Sequence, residues 1–82
     1  MNRIFINNYI NKITKDDIYN FSLKQDININ NHDIDIIYNY IKNDNIRIIN
    51  NPIDVLNEIK DKVSKEVYNK LLELYNKYKN WL

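Results

Sequence analysis

The sequence SKEVYNKLLELYNKYKNWL, residues 64–82, decides the fold, because its large apolar residues recur at the three- and four-residue spacing of an α-helix. Ser64 can cap the N-terminus of this helix, and Glu66 supplies a carboxylate in the first turn, where the helix dipole favours negative charge. The pattern predicts a helix that begins after Ser64 and runs to residue 82. About half of its circumference is apolar, through Val67, Tyr68, Leu71, Leu72, Leu74, Tyr75, Tyr78, Trp81 and Leu82.

An apolar face this wide belongs at the centre of a core or of an interface. The N-terminal part of the chain is predicted to supply two helices that pack with it. The first is predicted over about residues 2–13, although Ile4-Phe5-Ile6 leaves a strand start open. Its apolar side chains share one face, through Ile6, Tyr9, Ile10 and Ile13. Thr14 followed by Asp17 has the spacing of a capping box, which predicts a second helix from Thr14 through about residue 25.

Two more helices are predicted in the middle of the chain. Asn31 is positioned to cap one of them, whose apolar stripe is Ile34, Ile37, Tyr38 and Ile41. Asn51 and Pro52 predict the start of the next, because proline at the first helical position loses no hydrogen bond. That helix is expected to bury Ile53, Leu56, Ile59 and Val63. The sequence therefore predicts one compact all-α domain of four or five helices over residues 1–82.

Two short Ile-rich segments flank the predicted middle helix. Residues 26–30 alternate apolar and polar side chains, and residues 45–50 form a second short apolar run, so both are predicted to be extended connectors. They could pair as a minimal two-stranded ribbon, which is marginal on its own. The favoured alternative is that both run over the core, where four isoleucines fill gaps between helices: Ile27, Ile29, Ile46 and Ile48.

The composition also limits what kind of protein this is. With 82 residues, no Cys and one His, the chain has no disulfide or thiolate metal site to support folding, so apolar burial must provide a stability of roughly a few kcal/mol. Asn and Ile together fill 33 of the 82 positions, and Gly and Ala are absent, which points to an AT-rich coding sequence. No long apolar run follows Met1, so we expect no signal peptide, no membrane span and a cytoplasmic location.

Three segments together carry a family resemblance: KITKDDIYNFSLKQDININN (12–31), NDNIRIINNP (43–52) and VSKEVYNKLLELY (63–75). Their order resembles a family of short uncharacterised proteins from Gram-positive Firmicutes, described only as a domain of unknown function. The chain departs from that pattern at residues 42–45, where Arg-Gly-Lys is common, and at Lys65, where proline is common. The resemblance implies a bacterial cytosolic helical protein and carries over no catalytic or binding residue.

Metal binding is disfavoured at both places where the sequence suggests it. Residues 26–31 follow the start of a calcium-binding EF-hand loop, but the twelfth position is Ile37 rather than the required glutamate. His32, Asp33 and Asp35 occupy adjacent and alternate positions of a predicted first helical turn, so their side chains point in different directions. We interpret both clusters as caps and first-turn residues, and we expect no metal and no cofactor.

Catalysis is not expected either. The only hydroxyl side chains besides tyrosine are Thr14, Ser22 and Ser64, two of which are positioned as helix caps, and nucleophilic catalysis needs a hydroxyl or thiol beside a base. Without glycine the chain lacks a glycine-rich phosphate-binding loop. The sequence therefore predicts a protein that is not an enzyme and has no small-molecule substrate.

Nucleic-acid binding is the alternative function that the charge distribution suggests. Residues 31–59 sum to −3 and residues 60–82 to +3, and Lys70, Lys77 and Lys79 lie near aromatic residues that could stack on bases. However, those aromatic residues belong to the apolar face, and Glu66 and Glu73 interrupt the lysines. We expect no measurable RNA or duplex DNA binding at ~0.15 M salt, where charges are screened within about 8 Å.

The leading hypothesis is a non-catalytic protein–protein interaction domain. The C-terminal stripe is wide enough that its neighbours are not expected to cover all of it, and an uncovered remainder would form an interaction surface. The candidate partner surface is the apolar end of the last helix: Tyr75, Tyr78, Trp81 and Leu82. The partner is another protein or a second copy of the chain in a homodimer.

Overall fold

The computed structural model describes residues 12–79, and within that range it contains five α-helices and no β-strand. The helices are α1 (Lys15–Lys24), α2 (Asn31–Asn43), α3 (Asn45–Asn50), α4 (Pro52–Ile59) and α5 (Lys65–Tyr78). The all-α class is therefore confirmed. The helix predicted over about residues 2–13 lies almost wholly outside the described residues, as do Trp81 and Leu82.

The first helix shows how local sequence signals fix both of its ends. At its start the Thr14 hydroxyl accepts from the Asp17 backbone N–H at 3.1 Å, and the Asp17 carboxylate accepts from the Thr14 N–H at 2.9 Å, which confirms the capping box. At its end Asp26 adopts a left-handed φ of 58°, and the Ile27 N–H donates to the Ser22 carbonyl at 2.9 Å. Glycine normally takes this position, and the chain has none. The turn delivers Ile27 into the core, where it is buried.

The segment between α1 and α2 is non-helical, as predicted for the first connector. Ile27 and Ile29 are both buried, so this connector fills the core with alternate side chains. The cap of α2 is Asn30, whose side-chain oxygen accepts from the Asp33 N–H at 2.8 Å. The prediction that Asn31 is the cap was wrong by one position, because either asparagine in the pair has a side chain suited to capping.

The prediction of a second extended connector was wrong. Residues 45–50 form the helix α3, so they neither run extended nor pair as a ribbon. A single non-helical residue, Asp44, separates α3 from α2, and the Ile48 N–H bonds back to the Asp44 carbonyl at 3.0 Å. Ile49 is buried, whereas Ile46 is 64% exposed and fills no gap. Short runs of isoleucine specify helix or strand poorly, so this segment could not be assigned from its own sequence.

The last two helices begin where the sequence predicts. Pro52 stands at the first position of α4. The Ser64 hydroxyl caps α5 by accepting from the Val67 N–H at 3.4 Å. The chain packs in sequence order, since each helix contacts the next one along the chain. Within residues 12–79, no helix is both long enough and apolar enough to cross a lipid bilayer.

Two clusters of buried side chains form the core. One contains Ile27, Ile29, Ile34 and Val67, and the other contains Tyr40, Val55 and Ile59. Three partly buried residues pack against both clusters and so join them: Ile37, Val63 and Leu71. The core is therefore made by α2, α4 and α5 together with the first connector.

Candidate protein-binding groove

An apolar groove of about 310 Å³ opens along α2, α4 and α5. Its floor includes buried residues of the second core cluster, Tyr40, Val55 and Ile59. Its remaining described lining is half-buried and consists only of apolar or aromatic side chains: Ile13, Ile37, Ile41, Ile48, Pro52, Leu56, Leu71 and Tyr75. The groove is therefore an apolar surface within the fold, with a buried floor and a partly exposed rim.

Three of the rim residues have no place in the buried core. Ile41 on α2, Leu56 on α4 and Tyr75 on α5 line the groove, but they belong to neither of the two core clusters. Each is only half-buried in the described structure. Part of each of these side chains is therefore exposed along the groove.

The structure describes two of the four residues that the sequence predicts as a partner surface. Tyr75 lines the groove, and Tyr78 at the end of α5 is 45% exposed. Trp81 and Leu82 lie outside the described residues. The sequence did not single out Ile41 or Leu56 as surface residues, because their helical spacing assigned both to the core.

A chain of polar contacts fixes the wall of the groove beside Tyr40. The Tyr40 ring is buried, and its hydroxyl accepts from Lys62 Nζ at 2.8 Å and donates to Glu58 Oε1 at 3.1 Å. Arg47 forms an ion pair with Glu58, and a longer contact of 3.7 Å joins Arg47 to Asp44. These contacts connect α2, α3 and α4 with the turn that precedes α5. Among the described residues that line the groove, none is one of these charged residues.

The same contacts shift the pKa of three of these groups, and the hydrogen bond with Glu58 raises that of Arg47. The hydrogen bond from Arg47, and then that from Tyr40, lowers the pKa of Glu58 below its ordinary 4.5. The hydrogen bond with Tyr40 raises the pKa of Lys62 above its ordinary 10.5. A lowered carboxyl pKa means that the Glu58 contribution to stability is present above pH 4.5 and is lost as the pH falls through the lowered value.

This arrangement predicts a graded response of Glu58 to two substitutions. Arg47→Gln is expected to raise the pKa of Glu58 towards 4.5 by more than Tyr40→Phe does, because Arg47 makes the larger contribution to the lowering. An NMR titration of the Glu58 side-chain carboxyl in the three proteins measures this order. A larger effect of Tyr40→Phe would show that the hydroxyl, and not the guanidinium, holds the carboxylate.

A second set of polar contacts fixes the turn before α5. The Asp33 side chain, only 2% exposed, accepts from the Ser64 backbone N–H at 3.0 Å. His32 Nε2 lies 3.3 Å from the Lys62 carbonyl oxygen. The first turn of α2 therefore holds the residues that start α5, and it sets the position of α5 beside the groove.

The residues of the two candidate metal clusters lie in a turn, a helix cap, a buried hydrogen bond and a surface ion pair. Asp26 lies in the turn after α1, Asn30 caps α2, and Asp33 bonds to the turn before α5. Asp35 is exposed and pairs with Lys15 at 2.9 Å. Among residues 12–79, no group of three or more His, Cys, Asp or Glu side chains is placed to hold a metal ion.

The three candidate nucleic-acid contacts lie along α5 and just after it. Lys70 is half-buried and pairs with Glu73 at 3.1 Å. Lys77 Nζ lies 5.4 Å from the centroid of the Tyr78 ring, and Lys79 is exposed just after the helix. The pairing with Glu73 offsets the charge of Lys70.

Comparisons of the chain with protein-family models, with curated proteins and with solved structures found no match.

Proposed function

We propose that this domain is a non-catalytic protein-binding module that receives the apolar face of a partner helix in the groove between α2, α4 and α5. The observation that carries the proposal is the lining of the groove. Its eleven described residues are all apolar or aromatic, and Ile41, Leu56 and Tyr75 at its rim lie outside the buried core. Amphipathic helices bind such grooves through apolar side chains spaced three and four residues apart.

The chemistry of the groove favours a protein partner over a nucleic acid. Phosphates are bound by lysine, arginine and backbone N–H groups, whereas every described residue of the groove is apolar or aromatic. The candidate contacts Lys70, Lys77 and Lys79 are not part of the described lining. RNA binding through these lysines therefore stands as the alternative outcome of the test. A cytoplasmic location and membership of the Firmicute family belong to the same proposal.

A matched pair of substitutions on α4 tests the groove. Leu56→Asp places a charge on the apolar rim, and Asn57→Asp places the same charge on the adjacent exposed position. In affinity capture from a lysate of the source organism, we expect Leu56→Asp to reduce the yield of a specific partner at least tenfold. The loss follows because the partner would have to bury the new carboxylate in an apolar site. Asn57→Asp should capture the partner as well as the unaltered chain does.

Two controls decide between the proposal and its alternative. Circular dichroism must show that both variants retain their helix content, and nuclease treatment of the lysate must leave the captured partner in place. Capture that survives Leu56→Asp contradicts the groove. Capture that is lost on nuclease treatment and on changing Lys70, Lys77 and Lys79 to glutamate contradicts the protein-binding proposal and supports RNA binding.

A further inference from the structure

The five described helices differ in how their first turns are held. At the starts of α1, α2 and α5 a capping side chain, that of Thr14, Asn30 or Ser64, accepts from a backbone N–H. At the starts of α3 and α4 the corresponding residues, Asp44 and Asn51, make no side-chain cap hydrogen bond within the described chain. Because a cap stabilises the first turn of a helix, α3 and α4 are expected to open more readily than the three capped helices.

The polar contacts that α2 makes with the later helices differ in the same direction. Its contact with the start of α5 is buried, because Asp33 is 2% exposed and accepts from the Ser64 N–H. Its contact with α4 ends on an exposed carboxylate, since the Tyr40 hydroxyl donates to Glu58, whose side chain is 43% exposed. Exposed polar contacts contribute less to stability than buried ones. The contact that holds α4 to α2 is therefore the weaker of the two.

Other contacts hold α3 and α4 to each other. Arg47 on α3 forms an ion pair with Glu58 on α4. The backbone N–H of Asn51, the residue between the two helices, donates to the Arg47 carbonyl at 2.7 Å. Neither contact involves α2, so both persist when the bond between Tyr40 and Glu58 is lost. The two helices together bury three residues: Ile49, Val55 and Ile59.

We propose that α3 and α4 open together, as one wall of the groove, while α1, α2 and α5 stay folded, and that the hydrogen bond between Tyr40 and Glu58 closes this wall. Five residues of the groove lining belong to the wall: Ile48, Pro52, Val55, Leu56 and Ile59. Opening therefore enlarges the groove and exposes its floor. The consequence for partner binding rests on the proposed function, because a larger groove matters only if a partner helix binds there.

Native-state hydrogen exchange of the full chain, followed by NMR, tests this opening without any partner. In the unaltered protein, the backbone N–H groups of α3 and α4 should exchange roughly tenfold faster than those of α2 and α5. Their exchange should also depend less on urea concentration, because a local opening exposes less surface than global unfolding does. Equal rates and equal urea dependence in these four helices would overturn the opening.

A substitution on α2 separates a local opening from global unfolding. Asp33→Ala removes a contact that persists in the opened state, so exchange should become roughly tenfold faster in α2 and α5 and change by less than about twofold in α3 and α4. If Asp33→Ala unfolds the chain, the milder Asp33→Asn takes its place. Equal acceleration in all four helices would show that α3 and α4 unfold only with the rest, which contradicts the proposal.

A second substitution tests the hydrogen bond that closes the wall. Tyr40→Phe keeps the buried ring and removes the hydroxyl, and it should speed exchange in α3 and α4 roughly fivefold. Tyr38→Phe is the matched control two positions earlier, where the ring centroid lies 5.4 Å from the Nζ atoms of Lys15 and Lys42. It should leave exchange in α3 and α4 unchanged, and equal effects of the two variants would overturn the role of Tyr40.

Hydrogen exchange and partner capture have independent outcomes. If α3 and α4 open alone and Leu56→Asp leaves partner capture intact, the opening stands and the proposed function fails. If Leu56→Asp abolishes capture and α3 and α4 exchange only together with α2 and α5, the proposed function stands and the opening fails.

Discussion

Replacement of Asp33 by alanine is expected to lower the free energy of unfolding by about 2 kcal/mol, although Asp33 is a charged residue in the first turn of a helix. The carboxylate is 2% exposed and accepts a hydrogen bond from the Ser64 N–H at 3.0 Å. Hydrogen bonds to charged groups contribute about 1.5–3 kcal/mol, and this one joins α2 to the start of α5. Removing it frees the turn that positions α5 against the core.

The control for this prediction is Asp35→Ala on the same helix. Asp35 pairs with Lys15 at 2.9 Å, but both side chains are more than half exposed, so Asp35→Ala should change the stability little. Urea denaturation followed by circular dichroism measures both variants. Asp33→Asn, which keeps an acceptor oxygen, should recover part of the loss. If Asp33→Ala and Asp35→Ala are equally mild, the contact between Asp33 and Ser64 does not stabilise the fold.

The parts of the fold that the sequence predicts correctly are those decided within a few residues. Thr14 with Asp17, Pro52 and Ser64 each place a helix start, because a capping side chain or a proline acts on backbone groups next to it in the chain. The burial of Ile27 and Ile29 was also predicted correctly, since alternate side chains of a short connector point to one side.

The parts that the sequence does not predict depend on contacts between distant residues. Residues 45–50 form a helix whose Arg47 pairs with Glu58, eleven positions away on α4, and nothing within the run itself signals that contact. Asp33 was interpreted as a first-turn residue favoured by the helix dipole, which does not distinguish it from Asp35. Only the approach of Ser64, 31 positions later, makes Asp33 a buried contact between helices.

For the candidate site, too, the sequence predicts what depends on one helix and misses what depends on contacts between helices. The width of the α5 stripe indicates that an apolar surface exists, and Tyr75, a member of that stripe, lines the groove. The opposite wall was not predicted, because Ile41 and Leu56 have the same helical spacing as true core residues. Whether such a residue is covered depends on how closely α2 and α4 approach α5, and the spacing within one helix does not report that distance.

Leu71→Ala on α5 is expected to lower the free energy of unfolding by about 2–4 kcal/mol, because Leu71 packs against both core clusters and joins them. Asn69, two positions earlier on the same helix, is exposed, and Asn69→Ala should be neutral or slightly stabilising because alanine has the higher helix propensity. Small domains are marginally stable, so the loss at Leu71 would unfold a large fraction of the molecules.

Thermal and urea denaturation of both variants measures the difference, and equal effects at the two positions would contradict the packing of α5 described above. An intermediate loss with an unchanged urea dependence would instead show that the two clusters still form and that only their connection through Leu71 is weakened.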